Sequence, residues 1–363
     1  MIYRAIGLMS GSSLDGLDIA FVEFLENGGK WSFEILEADC YSYSDEWIDR
    51  LKAATMLSAL DYQILHCDYG HYLGQQVNKF IAANSLQYRV GMIASHGHTT
   101  FHLPAKRMTG QIGDGAAIAA ETGLPVVSDL RAMDIALNGQ GAPIVPIGEK
   151  LLLGEYNCFL NIGGIANISF NNDDTYTAYD ICAANRVLNM LAQETGADFD
   201  TGGAIAAGGE LILPLLEELN QLAYYRLDPP KSLANSFGIE TVYPIIKKYN
   251  ASVADSLRTY TEHVVVQIKA AIKNYIKNDG EKKLLVTGGG AFNTFLIEKL
   301  QAELHNSRIT VVVPDDNLVQ YKEALIMALI GVLRWREEYT VLQTVTGAAR
   351  ASIGGALWLG GEE

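Results

Sequence analysis

The chain is 363 residues long and carries 27 basic against 42 acidic side chains, a formal charge of −15. That length suggests roughly two domains of about 150 residues each, and 49 % hydrophobic with 19 % charged residues excludes the disordered class. The acidic balance argues against nucleic acid or an anionic membrane as partner, and no uncharged run approaches the ~18 residues of a membrane span.

In chain order, the pattern predicts strands at Tyr3–Leu8, Gly16–Leu25 and Trp31–Tyr41, with a tight turn through Ser10–Leu14 between the first two. Helical periodicity follows at Ser44–Ala54 and Tyr62–Asn84, then a buried strand at Val90–Ser95, a helix at Ala116–Thr122 and a strand at Pro125–Ser128. The theme restarts with three short strands, Cys158–Ile162, Ile165–Asn171 and Thr175–Asp180. Helices are expected at Asn185–Glu194, Glu210–Leu222, Ser256–Asn278, Asn293–His305 and Leu318–Arg334, with strands at Lys283–Val286 and Ile309–Val313. Three meander strands followed by alternating helices and strands thus occur twice, which predicts two similar α/β domains with a cleft between them. Met1-Ile2-Tyr3-Arg4 lacks the layout of a secretory signal, and Cys40, Cys67, Cys158 and Cys182 form no C-x-x-C pair. A cytoplasmic protein without disulfides or zinc is expected.

The 35 glycines cluster, mostly at strand ends, where they let a ligand approach the backbone. The first cluster, Gly11-Ser12-Ser13-Leu14-Asp15-Gly16-Leu17-Asp18, is a hairpin turn rich in N–H and O–H donors, a nest suited to phosphate oxygens. Asp15 and Asp18 would repel phosphate directly, but make sense with Mg²⁺ between carboxylate and phosphate, held through water. Asn161-Ile162-Gly163-Gly164 again joins two strands, and Gly288-Gly289-Gly290 with Asn293 joins a strand to a helix, whose N-terminus favours anions. No G-x-x-x-x-G-K-[ST] and no G-x-G-x-x-G occurs among these turns, which disfavours a P-loop or a dinucleotide fold.

The three turns resemble the two phosphate loops and the adenosine loop of the actin–hexokinase–sugar kinase superfamily. Together with Ser95-His96-Gly97 and His102, Gln111-Ile-Gly113-Asp114, Ser128-Asp129-Leu-Arg131 with Asp134, Gly139-Gln-Gly141-Ala-Pro143, Asn161 to Asn167 and Thr346-Gly-Ala, they are similar to the anhydro-N-acetylmuramic acid kinase family over nearly the whole chain. The resemblance implies two actin/hexokinase-like (ribonuclease H-like) domains, residues 1–135 completed by 340–363, and residues 136–339. It implies ATP, Mg²⁺ and a sugar as ligands, with no nucleic acid or membrane partner, and leaves a homodimer open. The implied reaction phosphorylates 1,6-anhydro-N-acetylmuramic acid with ATP and hydrolyses its anhydro ring, yielding N-acetylmuramic acid 6-phosphate in cell-wall recycling. The nucleotide would be held by residues 11–18, Asn161, Gly163, Gly164, Gly288, Gly289, Gly290 and Asn293.

Opening an anhydro bridge needs a base for the attacking water. Asp180 matches the aspartate of the family's D-T-G-P-G-N pattern, here Asp180-Ile-Cys-Ala-Ala-Asn185; the residues between Asp and Asn differ, and a helix N-cap is the competing role for Asp180. That departure motivates a rival reading, a nucleotide-binding sensor or regulator without this turnover, or a kinase for a different amino sugar. By the same resemblance Glu323 lies near the substrate and counts with Asp180 as catalytic, while His96, Arg131 and Asn185 bind the sugar. His96 would hydrogen-bond the sugar or its lactyl group, and Arg131 would fork onto the carboxylate or pair with Asp129 or Asp134. A metal role for His96, His98 and His102 has less behind it, because no acidic ligand follows at helical spacing. Asp200-Thr201-Gly202 spells the aspartic-protease triplet once only, so a dyad is excluded and a turn is expected.

Overall fold

The two predicted meanders become the cores of two sheets. The structure, a computed structural model, describes residues 1–11, 14–172, 175–229, 231–234, 236–275 and 280–361. The chain divides into two compact units, Met1–Leu153 with Tyr321–Glu363, and Gly154–Gln320.

In the first unit, β1 (Ile2–Ser10), β2 (Gly16–Asn27) and β3 (Lys30–Ser42) form the antiparallel meander. β4 (Met92–Leu103) runs parallel to β1, β5 (Met108–Ile112) folds back on β4, and β6 (Val126–Ser128) runs parallel to β4. In the second unit, β7 (Cys158–Ile162), β8 (Ile165–Asn172) and β9 (Thr175–Ala183) repeat the meander. β10 (Lys282–Thr287) lies parallel to β7, and β11 (Ile309–Val312) parallel to β10. Finally β12 (Ala356–Trp358) returns to pair with β6. Reading outward from each meander gives β3-β2-β1-β4-β6 and β9-β8-β7-β10-β11, the same strand order twice. The expected duplication of architecture is therefore present within the separate units.

The middle of β1 is buried on both faces, with Ala5, Ile6 and Leu8 inaccessible to solvent. One covering element is the helix Asp316–Trp335, which leaves helical geometry at Tyr321 (φ −111°, ψ 15°), the first residue of the first unit's C-terminal segment. Gly7 is what lets it pack: a Cβ there would stand 1.8 Å from the Ala324 carbonyl oxygen. The second unit's core gathers around the helix Val253–Tyr275, whose buried Leu257, Tyr260, Val264, Ile268, Ala271 and Ile272 recur at helical spacing. Each large one contributes roughly 1.5–3 kcal/mol relative to exposure.

The expected boundary near 135 shifts to 153, and that near 340 to 321. The helix Pro146–Leu152 belongs with the first unit because its Glu149 is locked to Lys322 at 3.0 Å, both buried. The strand expected to end at Ser95 runs on to Leu103 because β5 supplies the missing hydrogen bonds, an extension that a run of Ser, His, Gly and Thr does not advertise. The helix expected from Glu210 begins only at Leu213, since Gly209 abuts the Ala254 carbonyl. Among the described residues, no helix is long and apolar enough to cross a membrane.

Candidate active site

In the first unit the glycine turn is carried by a continuous ladder, with Ile2↔Leu25 at one end and Ser10↔Leu17 at the other. Leu14 takes a left-handed φ of +61° and its N–H donates to the Gly11 carbonyl at 3.3 Å. Ser12 and Ser13, expected at the phosphates, lie outside the described residues. At the base of the turn the buried Ser10 hydroxyl accepts from Tyr43 (2.8 Å) and meets His98 Nδ1 at 3.0 Å.

Beside this turn stand several charges. The Asp18 carboxyl is pushed up to about 6, chiefly by burial and further by the neighbouring Glu323 and Asp15, against a hydrogen bond from the Cys40 thiol. Burial raises Glu323 as well, while Lys322 and Arg131 favour its ionised form. Arg131 is itself lowered to about 10 by burial, with Glu323 and Asp134 opposing. The close approach at Gly7 thus has a consequence: it brings the helix bearing Glu323 to the strand that leads into the residue 11–18 turn.

Arg131 is held by an unexpected partner. Its Nε donates to His96 Nε2 at 2.8 Å and its Nη1 to the Gly141 carbonyl at 2.5 Å. Because Nε2 accepts, the ring proton sits on Nδ1, which donates to the Gly97 carbonyl at 2.9 Å. Burial first, then Arg131, pushes His96 down to about 3, so the ring is neutral. Both ring nitrogens of His96, expected to bond the sugar, are engaged here, one with Arg131 and one with the Gly97 carbonyl. Neither acidic partner considered for Arg131 forms an ion pair with it; Asp134 instead accepts from the Gly141 N–H (2.7 Å) and the Thr346 hydroxyl (2.6 Å). Nη2 of Arg131 has no hydrogen-bond partner among the described residues and can take an anion.

His98 spends Nδ1 on Ser10, and His102 places its Nδ1 3.2 Å from the Thr109 hydroxyl. Among the described residues no three His, Cys, Asp or Glu side chains are grouped to ligate a metal directly.

The second unit assembles the other glycines. β10 lies beside β7 with Thr287 opposite Asn161, which sets the Gly288–Gly290 turn on the Gly163-Gly164 hairpin. Gly288 (φ +80°) is required there, since a Cβ would meet Asn161 Oδ1 at 2.3 Å. Asn185 braces the hairpin: its N–H donates to the Gly163 carbonyl and its Nδ2 to the Ile162 carbonyl, both at 3.0 Å. Asn293 caps the helix Thr294–His305 by accepting from the Leu296 N–H at 3.0 Å, so that oxygen serves the helix.

Asp180 lies inside β9, not at a helix start; the residue flanking the helix Asn185–Gln193 is Ala184, with no side-chain cap. The register slips there: Asn167 pairs with Asp180 but Ala166 pairs with Cys182, a bulge at Ile181 of the kind that re-aims a side chain. Oδ2 accepts from the Leu233 N–H at 2.9 Å, and Oδ1 has no hydrogen-bond partner among the described residues. Burial raises the Asp180 carboxyl, and the Leu233 N–H works against that shift. Between Asp180 and Asn185, Ile181, Cys182, Ala183 and Ala184 are buried. Asp200, by contrast, spends both carboxylate oxygens on the Ile205 and Ala206 N–H groups (2.8 and 2.9 Å), and its triplet is structural as expected. Sequence reasoning missed Tyr224, Lys231 and Leu233 around Asp180, because an irregular segment has no periodicity to read.

A family model described as anhydro-N-acetylmuramic acid kinase matches residues 3–360. The chain belongs to the anhydro-N-acetylmuramic acid kinase family. An anhydro-N-acetylmuramic acid kinase of Francisella tularensis subsp. novicida is 33 % identical over 375 aligned residues, covering 97 % of each chain. One from Aliivibrio fischeri is 34 % identical over 375, covering 97 % of this chain and 98 % of that one. Among solved structures, (R)-2-hydroxyglutaryl-CoA dehydratase component A of Acidaminococcus fermentans superposes with a TM-score of 0.48 at 13 % identity, covering 90 % of this chain and 96 % of that one.

Proposed function

We infer that this chain is an ATP-dependent kinase that hydrolyses the anhydro ring of 1,6-anhydro-N-acetylmuramic acid and phosphorylates the freed oxygen, yielding N-acetylmuramic acid 6-phosphate for cell-wall recycling. The observation that carries the mechanism is the Asp180 carboxylate, tied by one oxygen and open at the other, in the same unit as the stacked glycine turns. Its open oxygen takes a proton from water as that water bonds to the anomeric carbon. The bond from the anomeric carbon to the bridging oxygen breaks, that oxygen bonds to the γ-phosphorus, and ADP leaves with the electron pair of the broken P–O bond. Backbone N–H groups of the residue 11–18 turn and of Gly163, Gly164 and Gly288 to Gly290 position the phosphates, which is most of what phosphoryl transfer asks of a protein.

Arg131, steadied by His96, reads the sugar's carboxylate with Nη2, and Asn185 lines the sugar side. Glu323 assists the reacting centre from the helix Asp316–Trp335. Asp15, in the residue 11–18 turn, is the carboxylate that would hold Mg²⁺ through water. When bound, the ion offsets charge on the transferring phosphoryl group. The requirement for ATP supports a cytoplasmic location.

The test is ADP release coupled to 1,6-anhydro-N-acetylmuramic acid. Asp180→Asn lowers kcat by roughly 100-fold or more and leaves ATP affinity by calorimetry unchanged. Nucleotide binding without sugar-dependent turnover in the unaltered protein would sink the assignment.

A further inference from the structure

β9 is the edge strand of its sheet, so the outward side of Asp180 has no strand beside it. A separate segment occupies that side. The Asp180 N–H donates to the Lys231 carbonyl at 3.1 Å, the Leu233 N–H donates to Asp180 Oδ2 at 2.9 Å, and the Tyr224 hydroxyl donates to the Asp180 carbonyl at 2.6 Å. Lys231 in turn donates from Nζ to the Tyr224 carbonyl at 3.2 Å and sits 4.7 Å above the Tyr224 ring. Backbone and side chain of one aspartate are thus gripped from a single stretch of chain. The stretch is itself anchored: next to Tyr224, the Tyr225 hydroxyl meets His263 Nε2 at 3.0 Å, and His263 Nδ1 meets Asn220 Oδ1 at 2.7 Å in the core.

We propose that Tyr224 and Leu233, clamped by Lys231, are positioning residues that aim the Asp180 carboxylate at its water. The proposal rests on Asp180 being the base. The Leu233 N–H orients the carboxylate and leaves Oδ1 as the reactive oxygen. The Tyr224 hydroxyl fixes the peptide that sets the carboxylate's direction beside the Ile181 bulge. A loose carboxylate costs turnover, because a displacement of about 1 Å in a reacting group can cost on the order of 100-fold. The other titratable groups around it are Tyr224 and Lys231 on the segment, with Asp228 acting on Lys231, and Tyr179 and Cys182 on β9.

Three full-length variants decide the matter: Asp180→Asn, Tyr224→Phe and Leu233→Pro, the last removing the backbone donor. Tyr224→Phe is expected to lower kcat roughly tenfold with KM for ATP and nucleotide affinity within about twofold. Leu233→Pro is expected to move the acid limb of kcat upward by about one pH unit, since a donor to the ionised form has gone. A purely structural role moves neither the kcat-to-KM split nor that limb. If Asp180→Asn is inactive while Tyr224→Phe keeps wild-type kcat and the acid limb stays put, the positioning role is refuted and the base survives. If Asp180→Asn still turns over, the base assignment falls and this inference with it. Should Leu233→Pro fail to fold, Tyr224→Phe alone decides.

Discussion

Gly7→Ala tests how closely the helix bearing Glu323 must pack on β1. The added Cβ would lie 1.8 Å from the Ala324 carbonyl oxygen and 2.7 Å from the Ala328 nitrogen. Both are backbone atoms of the helix Asp316–Trp335, so no side chain can rotate away. Ordinary contact begins near 3.4 Å, so the helix must retreat from β1 by about 1.6 Å, against typical overpacking costs of about 1–3 kcal/mol. In a unit of this size a loss of about 3 kcal/mol lowers Tm by roughly 6–12 °C. Glu323 rides on that helix, next to Ala324, and moves away from Asp18 and Arg131. With Glu323 in its proposed role, a retreat of that size predicts a kcat loss of about 100-fold, read by the coupled ADP assay at saturating ATP. Gly280→Ala is the control, since a Cβ there meets nothing within 4 Å among the described residues. Wild-type kcat and Tm in Gly7→Ala would refute the claim that this glycine sets Glu323's place.

Three further outcomes follow from the same geometry. His96→Phe removes the acceptor that holds Arg131 Nε at 2.8 Å and should raise KM for the sugar about tenfold with KM for ATP unmoved; an unchanged sugar KM would leave His96 without that role. Asp18 has a folded-state value of about 6 against an ordinary 3.8, so the folded state takes up its proton first as pH falls. Its burial penalty is therefore fully present above about pH 6 and is relieved between pH 6 and 4. Asp18→Asn should raise Tm at pH 8 and converge with the unaltered protein near pH 4, and equal Tm shifts at both pH values would count against it. Asp200→Ala removes two N–H acceptors and should cost about 1–2 kcal/mol of stability in denaturant titration, with kcat per folded molecule unchanged.

Much of the architecture was legible in the chain because sheet cores announce themselves. Strands buried on both faces read as short apolar runs, and Tyr3–Leu8 and Cys158–Ile162 sit within or coincide with β1 and β7. The far half of β4 was not legible. Ser95, His96 and His98 are polar and buried, tolerated because Ser10, Gly97 and Arg131 satisfy their hydrogen bonds, and a pattern of hydrophobicity cannot see such partners.

The glycine turns, written where apolar strand runs stop, and Asp180, near the end of one such run, are local features legible from the chain alone. Which residues surround them is a matter of long-range contact. Folding in three dimensions is what set His96 against Arg131, gathered 136–153 and 321–339 into the first unit, and wrapped Tyr224, Lys231 and Leu233 around Asp180. The physical reason is common to all three: a hydrogen bond depends on distance and direction in space, and residues far apart along the chain acquire both only when the sheets have formed.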